Sequence, residues 1–231
     1  YAGTADVNSS TSASRYSTSS GGASDRKIAR VVADGTWSFY MNPRVLSTSK
    51  ATYIGTTTSD GGIEATRLSN AHHRMDHVRV DTLDASVKRA RYENGTYNAG
   101  VMDDHASPTF LQTPDGRMAM FWSGHATTPV YYRVSRTADS IKTFGPKQVL
   151  KGSGLESRMS TYTQLHHMRG ESYPYWLMTR SKGADGRHDW YLTRSRDLKV
   201  WTPAIQLFKN PYPKPADAKE GETSTRGWPY L

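Results

Sequence analysis

Four side chains in this sequence have the types needed to move protons beside a bound acid: His105, His125, Tyr162 and Arg180. An imidazole exchanges protons near neutral pH. A phenol can give or take one, and a guanidinium grips a carboxylate through a fixed fork of donors. His105 sits in Asp103-Asp104-His105-Ala106-Ser107-Pro108, and His125 closes Ser123-Gly124-His125. Between them lies Pro114-Asp115-Gly116, a turn signal flanked by apolar runs. A hairpin reversing at that turn brings the two imidazoles to one edge of a sheet. Tyr162 and Arg180 hold matching places in the next such hairpin, so two adjacent units offer His, His, Tyr and Arg to one cleft.

The elements that position them are repeated. The first unit runs MNPRVL, TYIGTTTSDG and GIEATRLS, from Met41 to Ser69. The second runs HASPTFL, RMAMFWSGH and PVYYRVS, from His105 to Ser135, and the third runs YTQLHHM, YPYWLMTRS and HDWYLTRS, from Tyr162 to Ser195. WPYL (Trp228 to Leu231) opens a fourth. Units of about 60 residues, each of short strands with long connections, predict the blades of an all-β propeller. Each third strand ends on serine, and Ser195-Arg196-Asp197-Leu198-Lys199-Val200-Trp201 resembles the Asp-box turn of propellers. Ser135 to Phe144, with Asp139 before Ile141, is another such segment, and both read as degenerate relatives of that turn. Three blades and one further strand do not close a ring of roughly 4–8 blades. The remaining blades are therefore expected from missing sequence or from another chain, and an opening Tyr1 in place of Met fits a processed or trimmed product.

Strands are predicted over Thr52–Thr57, Met118–Trp122, Val130–Val134, Tyr175–Thr179 and Trp190–Thr193, where β-branched and aromatic residues concentrate between Gly, Pro, Asn and Asp. Helical periodicity is scarce, with one short turn at Ala85–Ala90. Residues 1–25 are rich in Ser, Thr and Gly with little to bury, and read as a linker or wrapping segment. Residues 26–231 form the partial propeller domain.

Net charge is +9 with an isoelectric point near 9.7, which favours an anionic partner. The basic residues are scattered, and no nucleic-acid-binding motif accompanies them, so a polyanion in a groove is expected rather than DNA or RNA. No apolar run approaches the ~20 residues of a membrane span, and no membrane partner is expected. The absence of cysteine removes thiolate chemistry and disulfides. His72, His73 and His77 with Asp76 lie in a charged connector without a matching ligand cluster, so no metal is assigned. Arg44 is a second candidate for holding a carboxylate. His166 and His167 lie in the third unit's first strand, where alternation turns one toward each face, and His167 is taken as a substrate contact. Tyr230 begins the next inner strand in the manner of Tyr162.

MNPRVL, DDHASPTFLQTPDGRMAMFWSGH, TYTQL followed by LMTRS, and WPYL resemble the BNR-repeat propellers that include the ulvan lyases. The resemblance covers residues 30 to 231, about the first half of such a domain, and is most specific from Asp103 to His125. It implies a seven-bladed propeller that cuts a sulfated, uronate-containing polysaccharide by β-elimination. It also implies that His105, His125, Tyr162, Arg180 and Tyr230 match the family's active-site His, His, Tyr, Arg and Tyr. Gln164 and the His pair after it depart from the Asn-Pro more usual there.

The side chains suit that reaction on their own terms. Removing the proton alpha to a uronate carboxylate requires its charge to be neutralised, a role for Arg180 with His125 as a second donor. His105 as base and Tyr162 as acid complete the step, although the sequence permits the reverse. The chemistry requires no cofactor, and no motif indicates a structural cation. A polymeric acidic substrate implies a secreted or periplasmic enzyme. The alternatives are a sialidase-like propeller hydrolase, which would need a well-placed Glu that the strand starts lack, and a non-catalytic carbohydrate-binding propeller.

Overall fold

The computed structural model describes residues 31–32, 34–36, 43–72, 74–83, 91–93, 96–98, 104–183 and 186–209, with the backbone alone for 91–93, 96–98 and 104. The wrapping segment at 1–25, the helical turn at Ala85–Ala90, and Trp228 to Leu231 with Tyr230 lie outside the described residues. In chain order the strands are β1 (Val45–Ser47), β2 (Ala51–Thr57), β3 (Gly62–Ser69), β4 (Met75–Thr82), β5 (Arg91–Glu93), β6 (Thr96–Asn98) and β7 (Thr109–Gln112). They continue with β8 (Arg117–Trp122), β9 (Tyr131–Ala138), β10 (Gln148–Val149), β11 (Ser160–His167), β12 (Tyr175–Lys182), β13 (His188–Ser195) and β14 (Ile205–Phe208). One 3-10 turn at Asp104–Ala106 is the sole helical element among the described residues.

The strands form three four-stranded antiparallel sheets, β1-β2-β3-β4, β7-β8-β9-β10 and β11-β12-β13-β14, with β5 and β6 as a separate ribbon. These are the three blades expected from the repeats. Their inner strands are neighbours, β7 lying against both β1 and β11. Each blade has an outer fourth strand that the repeated units did not include. β14 is largely solvent-facing, whereas β4 is half-buried and turns Val78 and Val80 into the first core through the alternation His77-Val78-Arg79-Val80-Asp81, a strand signal that the sequence reading passed over. The supposed charged connector holding Asp76 and His77 is thus strand β4. There His77 Nε2 pairs with Glu64 Oε2 at 2.6 Å, and its Nδ1 meets Thr66 Oγ1 at 2.9 Å.

Burial between blades explains the unbroken apolar run MAMFW. Successive residues of a strand point to opposite faces. Met118, Met120 and Trp122 of β8 enter one core with Tyr53, Ile63 and Phe110, between blades one and two. Ala119 and Phe121 enter another with Tyr132, Leu165, Leu177 and Trp201, between blades two and three. Both faces of β8 are therefore dry, and a one-residue slip would exchange the two cores. Trp122 is fully buried and donates its indole N–H to Asp81 at 3.2 Å. Trp122→Ala is expected to cost about 3–5 kcal/mol, read as a lowered midpoint in denaturant unfolding.

The third blade closes with a complete Asp-box. Ser195 Oγ accepts from the amides of Asp197 and Leu198 at 3.2 and 3.0 Å, and Asp197 Oδ1 accepts from those of Lys199 and Val200 at 2.8 and 3.2 Å. Trp201 packs beneath. In the second blade Asp139 has left that role: its Oδ2 takes an ion pair from Lys50 of the first blade at 2.7 Å. The degeneracy read in the sequence is an inter-blade tie.

Candidate active site

The β7–β8 hairpin carries both imidazoles at its open end. His105 sits in the 3-10 turn that leads into β7, and His125 in the loop that leaves β8. Their rings stack in parallel, with centroids 4.1 Å apart and planes 7° from coplanar. Gly124 makes room for the turn between Trp122 and His125, because a Cβ there would run into Thr127 Oγ1. Its amide donates to Thr128 Oγ1 at 2.6 Å.

The same loop is pinned to the next blade. The Ala126 amide donates to the Ser160 carbonyl at 3.1 Å, and the Ser160 amide donates back to the Thr128 carbonyl at 2.8 Å. Ser123 Oγ also meets Thr163 Oγ1 at 3.4 Å. His125 is thereby held against the start of β11, two residues from Tyr162.

Tyr162 reaches the imidazoles through a bulge. β11 pairs Thr161 with Arg180 and then Gln164 with Met178, leaving Tyr162 and Thr163 to oppose one residue of β12. Tyr162 adopts a φ of +54°, a left-handed conformation that costs a residue with a Cβ roughly 1–2 kcal/mol. Bulges re-aim side chains, and this one sends the Tyr162 ring to 4.8 Å from His105 and 6.4 Å from His125. The same ring stacks on Trp190 at 6.2 Å. The Thr179 hydroxyl stabilises the bulge by donating to the Thr161 carbonyl at 2.9 Å. Tyr162 is 2% exposed, whereas both imidazoles are half-buried and open to solvent.

Arg180 lies on β12 directly opposite Trp190 and Thr161, and is buried. Cross-strand partners share a face, so Arg180 lies on the same face as Trp190, on which Tyr162 stacks. The sequence placed Arg180 and His125 at equivalent positions. The structure instead puts Arg180 within its strand and His125 in a loop beyond one, and the pinning at Ser160 brings their neighbourhoods together.

A residue the sequence reading passed over joins them. His188 begins β13 opposite Lys182, and it shares with Lys182 the face that bears Arg180. Burial, then the positive fields of Arg180, Lys182 and His125, push His188 down to about 4. Its Nδ1 is buried without a hydrogen-bond partner among the described residues. An unfolded histidine takes up its proton near pH 6.5, while folded His188 refuses it down to about 4. Stability therefore falls as pH drops through that window, by about 3 kcal/mol at most, and is fully restored above it. His188→Gln is expected to flatten this part of the acid limb, measured as unfolding free energy at several pH values.

His167 lies elsewhere. It ends β11, five residues and about 16 Å along the strand from Tyr162, and stacks on Tyr175 at 5.4 Å. It borders a separate cleft of about 640 Å³ with Lys50, Asp139 and Arg169. An inner strand runs through the blade from end to end, so residues near each other in sequence serve opposite ends. Arg44 stands one residue before β1, at the end of the inner strands where β7 begins. There the Pro43 carbonyl accepts from Thr109 Oγ1 at 3.2 Å. Among the described residues no group of three or more His, Asp or Glu is arranged to hold a metal.

Comparison with known proteins agrees with this architecture. Residues 51–224 match the sequence profile of the BNR repeat-containing family. No curated protein matches the sequence. A PL25 ulvan lyase solved bound to -[GlcA(1-4)Rha3S]- superimposes with a TM-score of 0.59 at 16% identity, over 78% of this chain and 41% of that one. A second ulvan lyase structure of the same new polysaccharide lyase family gives 0.55 at 17% identity, over 75% of this chain and 40% of that one. At such identity the likeness establishes a shared fold, and this chain spans about two-fifths of the lyase's length.

Proposed function

Because this chain belongs to the BNR repeat-containing family, and two of its blades meet around two imidazoles and a phenol, we propose that it is part of a polysaccharide lyase. The substrate is an acidic, sulfated, uronate-containing polymer of the ulvan kind, cut by β-elimination. The observation that carries the reading is the stacked His105–His125 pair with the Tyr162 ring 4.8 Å from His105. The structural likeness to a lyase solved with a glucuronate-containing fragment supports the substrate class.

In the reaction, Arg180 and His125 hold the uronate carboxylate, lowering the cost of the enolate-like charge that builds as C5 loses its proton. His105 takes that proton. The electron pair forms the C4–C5 double bond while the C4–O4 bond breaks, and the Tyr162 phenol protonates the departing oxygen. Arg44 and Tyr230 are assigned to neighbouring sugars. A polymer meets such an enzyme outside the cytoplasm, so we place it as secreted or periplasmic. The net positive charge concentrates the polyanion near the cleft.

Incubation of the protein with ulvan and with other acidic glycans tests this directly. Elimination creates an unsaturated uronate with a new ultraviolet absorbance and no uptake of water. Chain shortening with saturated ends would overturn the lyase reading in favour of a hydrolase. Binding without cleavage would leave a carbohydrate-binding propeller.

A further inference from the structure

The bulge that aims Tyr162 faces one residue across the sheet. β11 pairs Thr161 with Arg180 and Gln164 with Met178, so Tyr162 and Thr163 together stand opposite Thr179. In a bulge with a left-handed first position that residue is ordinarily glycine, because a Cβ is disfavoured there. Here a tyrosine holds it at a φ of +54°. A strained residue of this kind persists only where its surroundings over-determine it.

Buried hydroxyls on both sides of the bulge do so. Before it, Ser160 Oγ meets Ser181 Oγ at 2.6 Å, and after it Thr163 Oγ1 meets Ser123 Oγ at 3.4 Å. Between these ties the Thr179 hydroxyl donates to the Thr161 carbonyl at 2.9 Å. That carbonyl belongs to the peptide leading into Tyr162, so the hydrogen bond fixes the plane from which the positive φ departs. Thr161 and Thr179 are fully buried. Losing the hydroxyl leaves the carbonyl short of a donor and out of reach of water, and a shift of the backbone becomes the way to satisfy it.

We propose that Thr179 is a positioning residue for the proton transfer assigned to Tyr162: its hydroxyl holds the bulge and thereby keeps the phenol beside His105. The proposal rests on the reading of Tyr162 as the acid of an elimination. The Tyr162 ring stands 4.8 Å from His105 and 6.2 Å from Trp190, a placement that follows from its left-handed backbone. With an unstrained negative φ the side chain leaves the strand in another direction, and the phenol loses its alignment with an oxygen bound beside His105. Thr179 is sealed from solvent, so it acts through Tyr162 and not on the polymer.

The test uses Thr179→Val, which keeps the shape and removes the donor, and Thr179→Ser, which keeps the donor. Thr179→Val is expected to lower kcat on the polymer about ten- to a hundred-fold with KM little changed, the scale of an ångström-sized misplacement of one group. The loss should shrink on a uronide with an acidic phenol as leaving group, which needs little protonation, and Thr179→Ser should return most of the polymer rate. Thr179→Ala repeats the comparison without the valine methyl, separating a clash from the loss of the hydroxyl. An equal loss on both substrates, or no rescue by serine, overturns the proposal. A second readout needs no turnover. The Tyr162 ring protons, assigned by selective tyrosine labelling and their loss in Tyr162→Phe, feel the ring currents of Trp190 and His105. Thr179→Val should move their resonances toward those of an unstacked tyrosine, and unmoved resonances overturn the proposal even where activity falls. Moved resonances in a protein that forms no unsaturated product would retain the role of Thr179 in the bulge and remove the lyase. Unsaturated product with unmoved resonances would do the reverse.

Discussion

Tyr162→Phe is expected to lower the elimination rate on the polymer by about 10²–10⁴-fold while the protein stays folded. Phenylalanine keeps the ring that stacks on Trp190 and borders His105, and removes the hydroxyl alone. The loss should depend on the leaving group. A uronide whose departing oxygen belongs to an acidic phenol needs little protonation, so it should recover most of its rate with Tyr162→Phe. With His105→Gln the same substrate should stay slow, because the C5 proton must still be taken. The opposite pattern, rescue of His105→Gln and not of Tyr162→Phe, would exchange the two roles. No loss with either variant would remove the site from catalysis.

Arg180→Gln should reduce turnover by about 10²–10³-fold, the usual loss when one preorganised donor is taken from a developing oxyanion. Arg180→Lys should recover little, since an ammonium cannot reproduce the two-pronged contact with a carboxylate. Arg180 is buried, so a drop in activity by itself could report damaged packing. Methyl-esterified uronate separates the causes, because its carboxyl carries no charge to neutralise. If Arg180 acts on the carboxylate, the penalty of Arg180→Gln shrinks on the ester, where the standing charge is gone and only the developing oxyanion is left to stabilise. An equal penalty on acid and ester would make Arg180 a structural residue of the third blade.

Both expectations depend on a bulge and a loop that no pattern in the sequence announces. Tyr162 is aimed by a positive φ inside a strand, a conformation that composition would assign to Gly or Asn. His125 is held by amide exchange between the loop after β8 and Ser160, residues remote in sequence. His188 was overlooked because a histidine opening a strand carries no local mark, and its downward shift comes first from burial and then from the cations of Arg180 and Lys182 on the strand opposite. His167 was misplaced for the converse reason. Alternation along the strand, which turns one of His166 and His167 toward each face, suggested a substrate contact, but the rise of an extended strand carries His167 to the other end of the blade from Tyr162.

The repeats, the all-β class and the pairing of His105 with His125 were decided by the sequence alone, because each depends on local rules. Period-two alternation, turn chemistry and the short hairpin at Pro114-Asp115-Gly116 act over a few residues and leave their signature in residue order. What joins one hairpin to the next was decided only by tertiary structure. The docking of the second blade's loop on the third, the strained Tyr162 and the burial of His188 under the fields of Arg180, Lys182 and His125 arise from contacts that form only when the sheets are assembled. Their free energies depend on distance and burial, neither of which residue order encodes directly.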